Sequence, residues 1–330
     1  MEFDKFFDKD AASTALENII QAKTGHVKES NNPSVQYLRN FSADTAVVQE
    51  VNAHGRKCWR LGAIDDAGAV EHEISFRVHG ILSKVDLVPG NISRCSMERV
   101  TNLCQRVELT GLDSASFSQS INQILVVQDA FRRFFAGQRV SAWNFSDEDG
   151  HARFNCTCLY LTKTDGRAVE EVPFGPGVDP LGQLAKFRSS DLVHTAENDV
   201  KYLRLAKQDL LHPREMFYEA FPAAFRKGDI VEVQGTIVAF FSKNGMVKTI
   251  FQMNVLTLLD ATFSKAAELA RSQAYKPTPP KQVLKRKVWY EEEDLEVHST
   301  RRRFKDLRLE DFDNSRVSSH QSARDEMSRD

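Results

Sequence analysis

The stretch whose reading decides the fold is Gly228-Asp229-Ile230-Val231-Glu232-Val233-Gln234-Gly235-Thr236-Ile237-Val238-Ala239-Phe240-Phe241-Ser242-Lys243-Asn244-Gly245-Met246-Val247-Lys248-Thr249-Ile250-Phe251-Gln252-Met253. Residues two apart on a strand share a face. Val231, Val233, Ile237, Ala239 and Phe241 fall on one side, and Glu232, Gln234 and Thr236 on the other. Asn244-Gly245 accepts positive φ at both centres of a tight turn. The return strand puts Val247, Thr249, Phe251, Met253, Val255 and Leu259 on the core side, with Lys248, Gln252 and Asn254 outward. These signals predict an antiparallel hairpin over about 229–259. Gly235 marks the point where the strand bends across a barrel corner. A helix from about Ala261 to Ser272 closes the unit.

Upstream lies the clearest helix, about 116–136. Phe117, Ile121, Ile124, Leu125, Gln128, Phe131 and Phe135 follow 3–4 spacing, with Gln128 as the polar lapse. Arg132 and Arg133 suit the negative end of the helix dipole, and Gly137 stops it. A second hairpin is expected next, with strands 138–145 and 151–162 around Asp147-Glu148-Asp149-Gly150. An earlier one spans Lys57 to Ile81. Residues 165–182, dense in Gly and Pro, form a boundary or a long loop. Residues 209–225 read as an interrupted helix, and Asp10 caps a helix running to about Lys23. Asp129-Ala130-Phe131 to Gly137 and Glu219-Ala220-Phe221 to Gly228 hint at an internal repeat.

The expected class is α+β: antiparallel β-hairpins forming a curved sheet or barrel-like core, OB-like, with flanking helices and a disordered C-terminal tail. The expected organisation is an N-terminal arm with a short helix (1–34), a first β-rich unit (35–164), a second (165–275) and a charged tail (276–330). The tail holds few large apolar residues to offset its ordering entropy.

Composition narrows the function classes. Among 330 residues, 44 Lys and Arg against 46 Asp and Glu leave a net charge of −2, so any nucleic-acid footprint is a local patch. The 22 Phe fit a Phe-rich core or exposed stacking platforms. Cys58, Cys95, Cys104, Cys156 and Cys158 are odd in number and irregular in spacing, which argues against a secreted disulfide framework and for packing. No secretory signal, membrane span or zinc-finger spacing is read. The expected compartment is nuclear or cytoplasmic.

Phe225-Arg226-Lys227-Gly228-Asp229-Ile230-Val231-Glu232-Val233-Gln234, with Leu256-Thr257-Leu258-Leu259-Asp260 and the upstream Val193-His194-Thr195-Ala196-Glu197-Asn198-Asp199-Val200-Lys201-Tyr202, is similar to an uncharacterised family of mushroom-forming (basidiomycete) fungal proteins. The similarity covers about 170–265. It implies one module and supplies no catalytic residue. At the level of fold, the Gly-Asp start, the strand broken by Gly235, the hairpin and the helix resemble parts of oligonucleotide-binding barrels.

Three functional readings follow. The first is a non-enzymatic interaction module with a protein partner, suited to near-neutral charge and edge strands. The second is single-stranded nucleic-acid binding. Its candidate residues are Lys243 and Lys248 with Phe240 and Phe241 at the hairpin, and Arg132, Arg133, Arg153 and Trp143 as a second basic–aromatic mixture. Glu232, Asp147, Glu148 and Asp149 would oppose a phosphate. The third is a metal-dependent enzyme around Asp191, His194, Glu197 and Asn198, with His212 nearby; a hydrogen-bonded loop histidine is the bland alternative. No cofactor is expected. Lys285, Arg286 and Lys287 with Arg301, Arg302 and Arg303 resemble a nuclear-import signal.

Overall fold

The computed structural model describes residues 3–26, 34–53, 56–64, 68–90, 92, 97–164, 169–206 and 216–275. In chain order the elements are helix α1 (Lys9–His26), strands β1 (Val35–Tyr37), β2 (Ala46–Ala53), β3 (Arg56–Ile64), β4 (Val70–Glu73) and β5 (Ser75–Asp86), the short α2 (Met97–Val100), and β6 (Cys104–Thr110). Helix α3 (Ala115–Phe134) leads to β7 (Ser146–Glu148), β8 (His151–Leu159), β9 (Thr162–Lys163), β10 (Leu192–Val193), β11 (Lys201–Leu205) and β12 (Phe217–Glu219). The hairpin β13 (Ile230–Phe241) and β14 (Val247–Asp260) precedes α4 (Thr262–Ala274).

The hairpin organises one large curved sheet. β13 pairs antiparallel with β14 along its length, and its first half also pairs with β5, from Ile230↔Ile81 to Gly235↔Phe76. Beyond Gly235 it leaves β5 and meets β3 at Ala239↔Trp59. The change of partner coincides with a register shift between Gln234 and Gly235. Only glycine fits there, since a Cβ would lie 2.1 Å from the Gln252 carbonyl oxygen. The expected bend is therefore made at Gly235 by close backbone approach.

The pairings run in a cycle: β5 with β6, β6 with β8, β8 with β14, β14 with β13, and β13 back to β5. Four of these contacts are antiparallel, and β8–β14 is parallel. That seam holds only Phe251↔Cys156 and Gln252↔Thr157, so the sheet is strongly curved rather than a cylinder paired along its full height. β13 and β14 thus join strands on both sides of the Gly/Pro-rich 165–182, and residues 35–164 and 165–275 contribute to one sheet. β2 and β12 are its outer edges. Val107, Leu109, Phe154, Cys156, Val233, Ile237, Phe251 and Met253 fill the interior.

Two helices are tied to each other through one carboxylate. The buried face of α1, including Leu16 and Ile20, packs on Ile81 and Ile230, so this segment docks on the core. Asp8, not Asp10, caps it by accepting the Ala11 N–H at 3.0 Å. Glu17 accepts Ser114 Oγ–H at 2.7 Å, Ser116 Oγ–H at 2.6 Å and Ser116 N–H at 3.1 Å. Burial alone would raise its pKa; these donors, at the positive end of α3, hold it below the usual range.

The sequence expectations need five further corrections. Val127, not Leu125, completes the buried stripe of α3; Leu125 is 44% exposed. The second hairpin uses β7 and β8 around Asp149-Gly150, which both take positive φ (60° and 76°), and 138–145 is no strand of it. At the β13–β14 tip only Gly245 takes positive φ (72°), and Ser242 N–H reaches the Met246 carbonyl at 2.8 Å. This is a three-residue loop ending in a left-handed glycine rather than a two-residue turn. Asp129–Phe131 is helical while Glu219 ends a strand, so the two motifs do not fold as a repeat. Of the expected helix 209–225, residues 209–215 lie outside the described residues, and Phe217–Glu219 is strand.

Candidate nucleic-acid interface

Sequence-distant aromatic residues meet at the end of α3. Trp59 of β3 packs edge to face on Phe135 at 5.0 Å and on Phe241 at 5.2 Å. Phe135 also meets Phe134 at 5.0 Å and Phe241 at 5.9 Å. Trp59 and Phe135 are buried, while Phe134 is 49% and Phe241 42% exposed. Two exposed rings are thereby braced by two buried ones in geometries that aromatic quadrupoles favour.

The polar lapse in α3 secures this arrangement. Gln128 is buried, and its Nε2 donates to the Ser141 carbonyl at 2.6 Å. Ser141 N–H then donates to the Val247 carbonyl at 2.8 Å, and Val247 N–H to the Arg139 carbonyl at 2.9 Å. The segment after α3 is therefore pinned to the start of β14, and the helix end stays beside the hairpin tip.

Exposed cations lie near the rings in sequence. Arg133 adjoins Phe134 in the last turn of α3. Lys243 stands two residues beyond Phe241, and Lys248 lies opposite Phe240 across the hairpin. Arg133, Lys243 and Lys248 are exposed and make no ion pair among the described residues. Arg132 is committed to Asp129 at 2.7 Å. Phe240 is half-buried.

The remaining candidates lie elsewhere. Arg153 is 3% exposed and pairs with Glu108 at 3.3 Å, so it is a buried charge and not a surface contact. Trp143 is partly buried and stacks on Phe145 at 6.3 Å and Phe154 at 5.8 Å, where it packs on the core instead of offering a platform. Phe134 and Trp59 were absent from the sequence-derived set. For Phe134, the available signal was a bulky ring lying off the apolar stripe at a helix end.

The acidic opposition is smaller than the sequence suggests. Glu232 is buried, receives Arg77 through both oxygens at 2.8 Å, and lies 2.9 Å from His79 Nε2. Burial pushes its carboxyl up, but His79 and Arg77 beside it hold it at about 2. Burial keeps His79 below the usual imidazole range. Asp149 pairs with Lys9 at 3.7 Å. The Asp147 and Glu148 side chains, His212 and both tail clusters (285–287 and 301–303) lie outside the described residues.

Comparison with known proteins adds a structural neighbour. The single-stranded DNA-binding protein gp2.5 encoded by bacteriophage T7 aligns over 56% of this chain and 86% of its own, with a TM-score of 0.32 and 11% identity. No family model matches the chain, and no curated protein matches it.

The residues around His194 hold the loops together. His194 is 1% exposed, its Nδ1–H donates to the Tyr160 carbonyl at 2.7 Å, and its ring lies 4.4 Å from that of Phe174. Burial keeps it below the usual histidine range. Asn198 Oδ1 accepts Thr195 N–H at 3.0 Å, and its Nδ2 donates to Thr162 at 2.9 Å. Glu197 is taken by Arg60 at 2.8 Å. Glu197 and Asn198 are thus engaged, the buried Nε2 of His194 has no hydrogen-bond partner among the described residues, and Asp191 is exposed. No group of three His, Cys, Asp or Glu side chains among the described residues is placed to hold a metal. No described helix is long and apolar enough to cross a membrane. Cys156 and Cys158 are buried, and burial pushes both thiols well up.

Proposed function

We propose that this chain binds single-stranded nucleic acid through the surface formed by the β13–β14 tip and the end of α3. The observation that carries the reading is that exposed Phe134 and Phe241 both pack on Phe135, with exposed Arg133 next to Phe134 and exposed Lys243 two residues beyond Phe241 in sequence, while Lys248 stands with Phe240 on the other face of the hairpin. Single strands are held by rings that stack on bases and cations that follow the backbone, each stacked base contributing about 1–3 kcal/mol.

Strand order supports the reading. Numbered from β5, the cycle runs first, second, third, fifth, fourth, with the third and fifth parallel. That is the connection pattern of a partly open five-stranded Greek-key barrel of the OB type, whose loop between strands four and five takes part in oligonucleotide binding. Here that loop is 242–246. With a balanced overall charge and three exposed cations at the surface, binding is modest and strongly salt-dependent. The basic tail clusters would serve as a nuclear address, testable by import of a fluorescent fusion.

Anisotropy of a labelled oligothymidylate, titrated from about 50 to 200 mM salt, tests the proposal. The expected result is micromolar binding that weakens with salt, with a single strand preferred over a duplex. Absent or salt-insensitive binding at micromolar protein would overturn it. A protein-interaction role is the second reading, favoured by β12, which has one strand neighbour among the described residues; complex formation with a protein partner in place of oligonucleotide binding is the outcome that would select it.

A further inference from the structure

We propose a second nucleic-acid contact on the ribbon of β11 and β12, resting on the single-strand reading above. Among the described residues β12 forms one outer edge of the sheet and pairs only with β11. Met216, Phe217 and Tyr218, consecutive in sequence, are 43%, 42% and 48% exposed, and Phe221 just beyond is 62% exposed. A run of large apolar side chains on a sheet edge marks a surface that meets something.

Charge selects the occupant. Arg204 lies opposite Tyr218 in the antiparallel register, so the two side chains share a face. Lys201 is exposed on the same strand. On the other face Lys23 of α1 stands 5.9 Å from the centre of the Phe217 ring. Lys23 itself is buried, so two exposed cations, Lys201 and Arg204, stand on the ribbon against one exposed acid, Glu219. This repeats the ring-and-cation composition of the hairpin tip and fits an anionic chain of flat bases better than an apolar protein segment.

The ribbon is distinct from the first surface. β11 pairs with β14 from Val255 to Leu258, whereas the tip begins at Val247. Eight residues of strand separate Val247 from Val255, roughly 27 Å at the usual rise. Sites on single barrels span about 4–16 nucleotides, so a short oligonucleotide occupies one surface and a long one engages both.

The test compares oligothymidylates of about 6 and about 20 nucleotides on the full chain. Phe217→Ala with Tyr218→Ala should weaken the long oligonucleotide about tenfold or more and the short one less than about threefold. Phe217→Tyr with Tyr218→Phe should restore it. Unchanged affinity for the long oligonucleotide in a folded alanine pair overturns this inference while leaving the first surface standing, provided Phe241→Ala weakens both lengths. If the unmutated chain binds neither, both readings fail. Should the alanine pair not fold, photocrosslinking of the unmutated chain decides: adducts in 216–221 support the contact, and adducts confined to the regions of Phe134 and Phe241 overturn it. A change in sedimentation mass with unchanged oligonucleotide affinity would assign the edge to protein and overturn it as well.

Discussion

Arg153 and Lys243 begin from similar local circumstances. Each is a cation close to a hairpin turn, on a chain segment with aromatic neighbours. Arg153 ends beneath the surface beside Glu108, while Lys243 is exposed two residues beyond Phe241. The hairpins themselves make the difference. The tight Asp149-Gly150 turn folds β7 onto β8, and β8 lies within the ring of paired strands. β13 departs from that ring at Gly235, and its tip projects past it towards β3 and α3. A basic–aromatic sequence is thus not yet a surface; its distance from the sheet's centre decides whether its charge is available.

The largest effect should separate these two cations. Arg153→Ala leaves Glu108 without its buried partner and should cost about 3–5 kcal/mol, read from the urea midpoint. Lys243→Ala should stay within about 0.5 kcal/mol. Equal midpoints for the two variants would break the comparison.

The bend itself can be attacked next. Gly235→Ala drives a methyl group into the Gln252 carbonyl, and relief requires β13 to shift against β14. A loss of about 3 kcal/mol is expected, with oligonucleotide affinity falling because the tip is displaced. Retained stability would mean that the strand bends without help from a side-chain-free position.

Buried charge also predicts a pH response that the exposed tip lacks. The folded-state pKa of Glu232 is depressed, so its contribution is present above the unfolded value of 4.5 and is lost as pH falls towards about 2. Glu232→Gln should flatten the stability profile in that window, whereas Lys243→Ala and Lys248→Ala should leave it unchanged. An acid profile identical to that of the unmutated chain would show that Glu232 is not held by Arg77 and His79 in solution.

Smaller effects sharpen the exposed side of the comparison. Phe241→Ala should weaken a short oligothymidylate by about 1–3 kcal/mol, with Phe241→Trp restoring it. Lys243→Ala with Lys248→Ala should lower the salt slope by roughly 1.4, at about 0.7 per phosphate contact. A slope unmoved by the pair would place the phosphate path elsewhere.

Much of the scaffold was legible. The β13–β14 alternation and the α3 stripe follow from side-chain period and backbone sterics, which act over a few residues. The site was legible only in part. Lys243, Lys248, Phe241 and Arg133 were identifiable as basic–aromatic neighbours, but the sequence gives no sign that Trp59 and Phe135 brace them, or that Gln128 pins the connecting segment. Those contacts join positions far apart in the chain. The ribbon of Phe217 and Tyr218 was missed because the prolines around it suggested an interrupted helix.

By itself the sequence determined the α+β class and the long hairpin, because alternation and 3–4 spacing are local constraints; that Gly235 admits no side chain follows from the Gln252 backbone across the hairpin. Only the tertiary structure decided which charges are sources of stability and which are available to a ligand. Desolvation depends on what covers a side chain, and the residues that cover Arg153 and Glu232 while leaving Lys243 exposed are brought there by strand pairing across the whole chain.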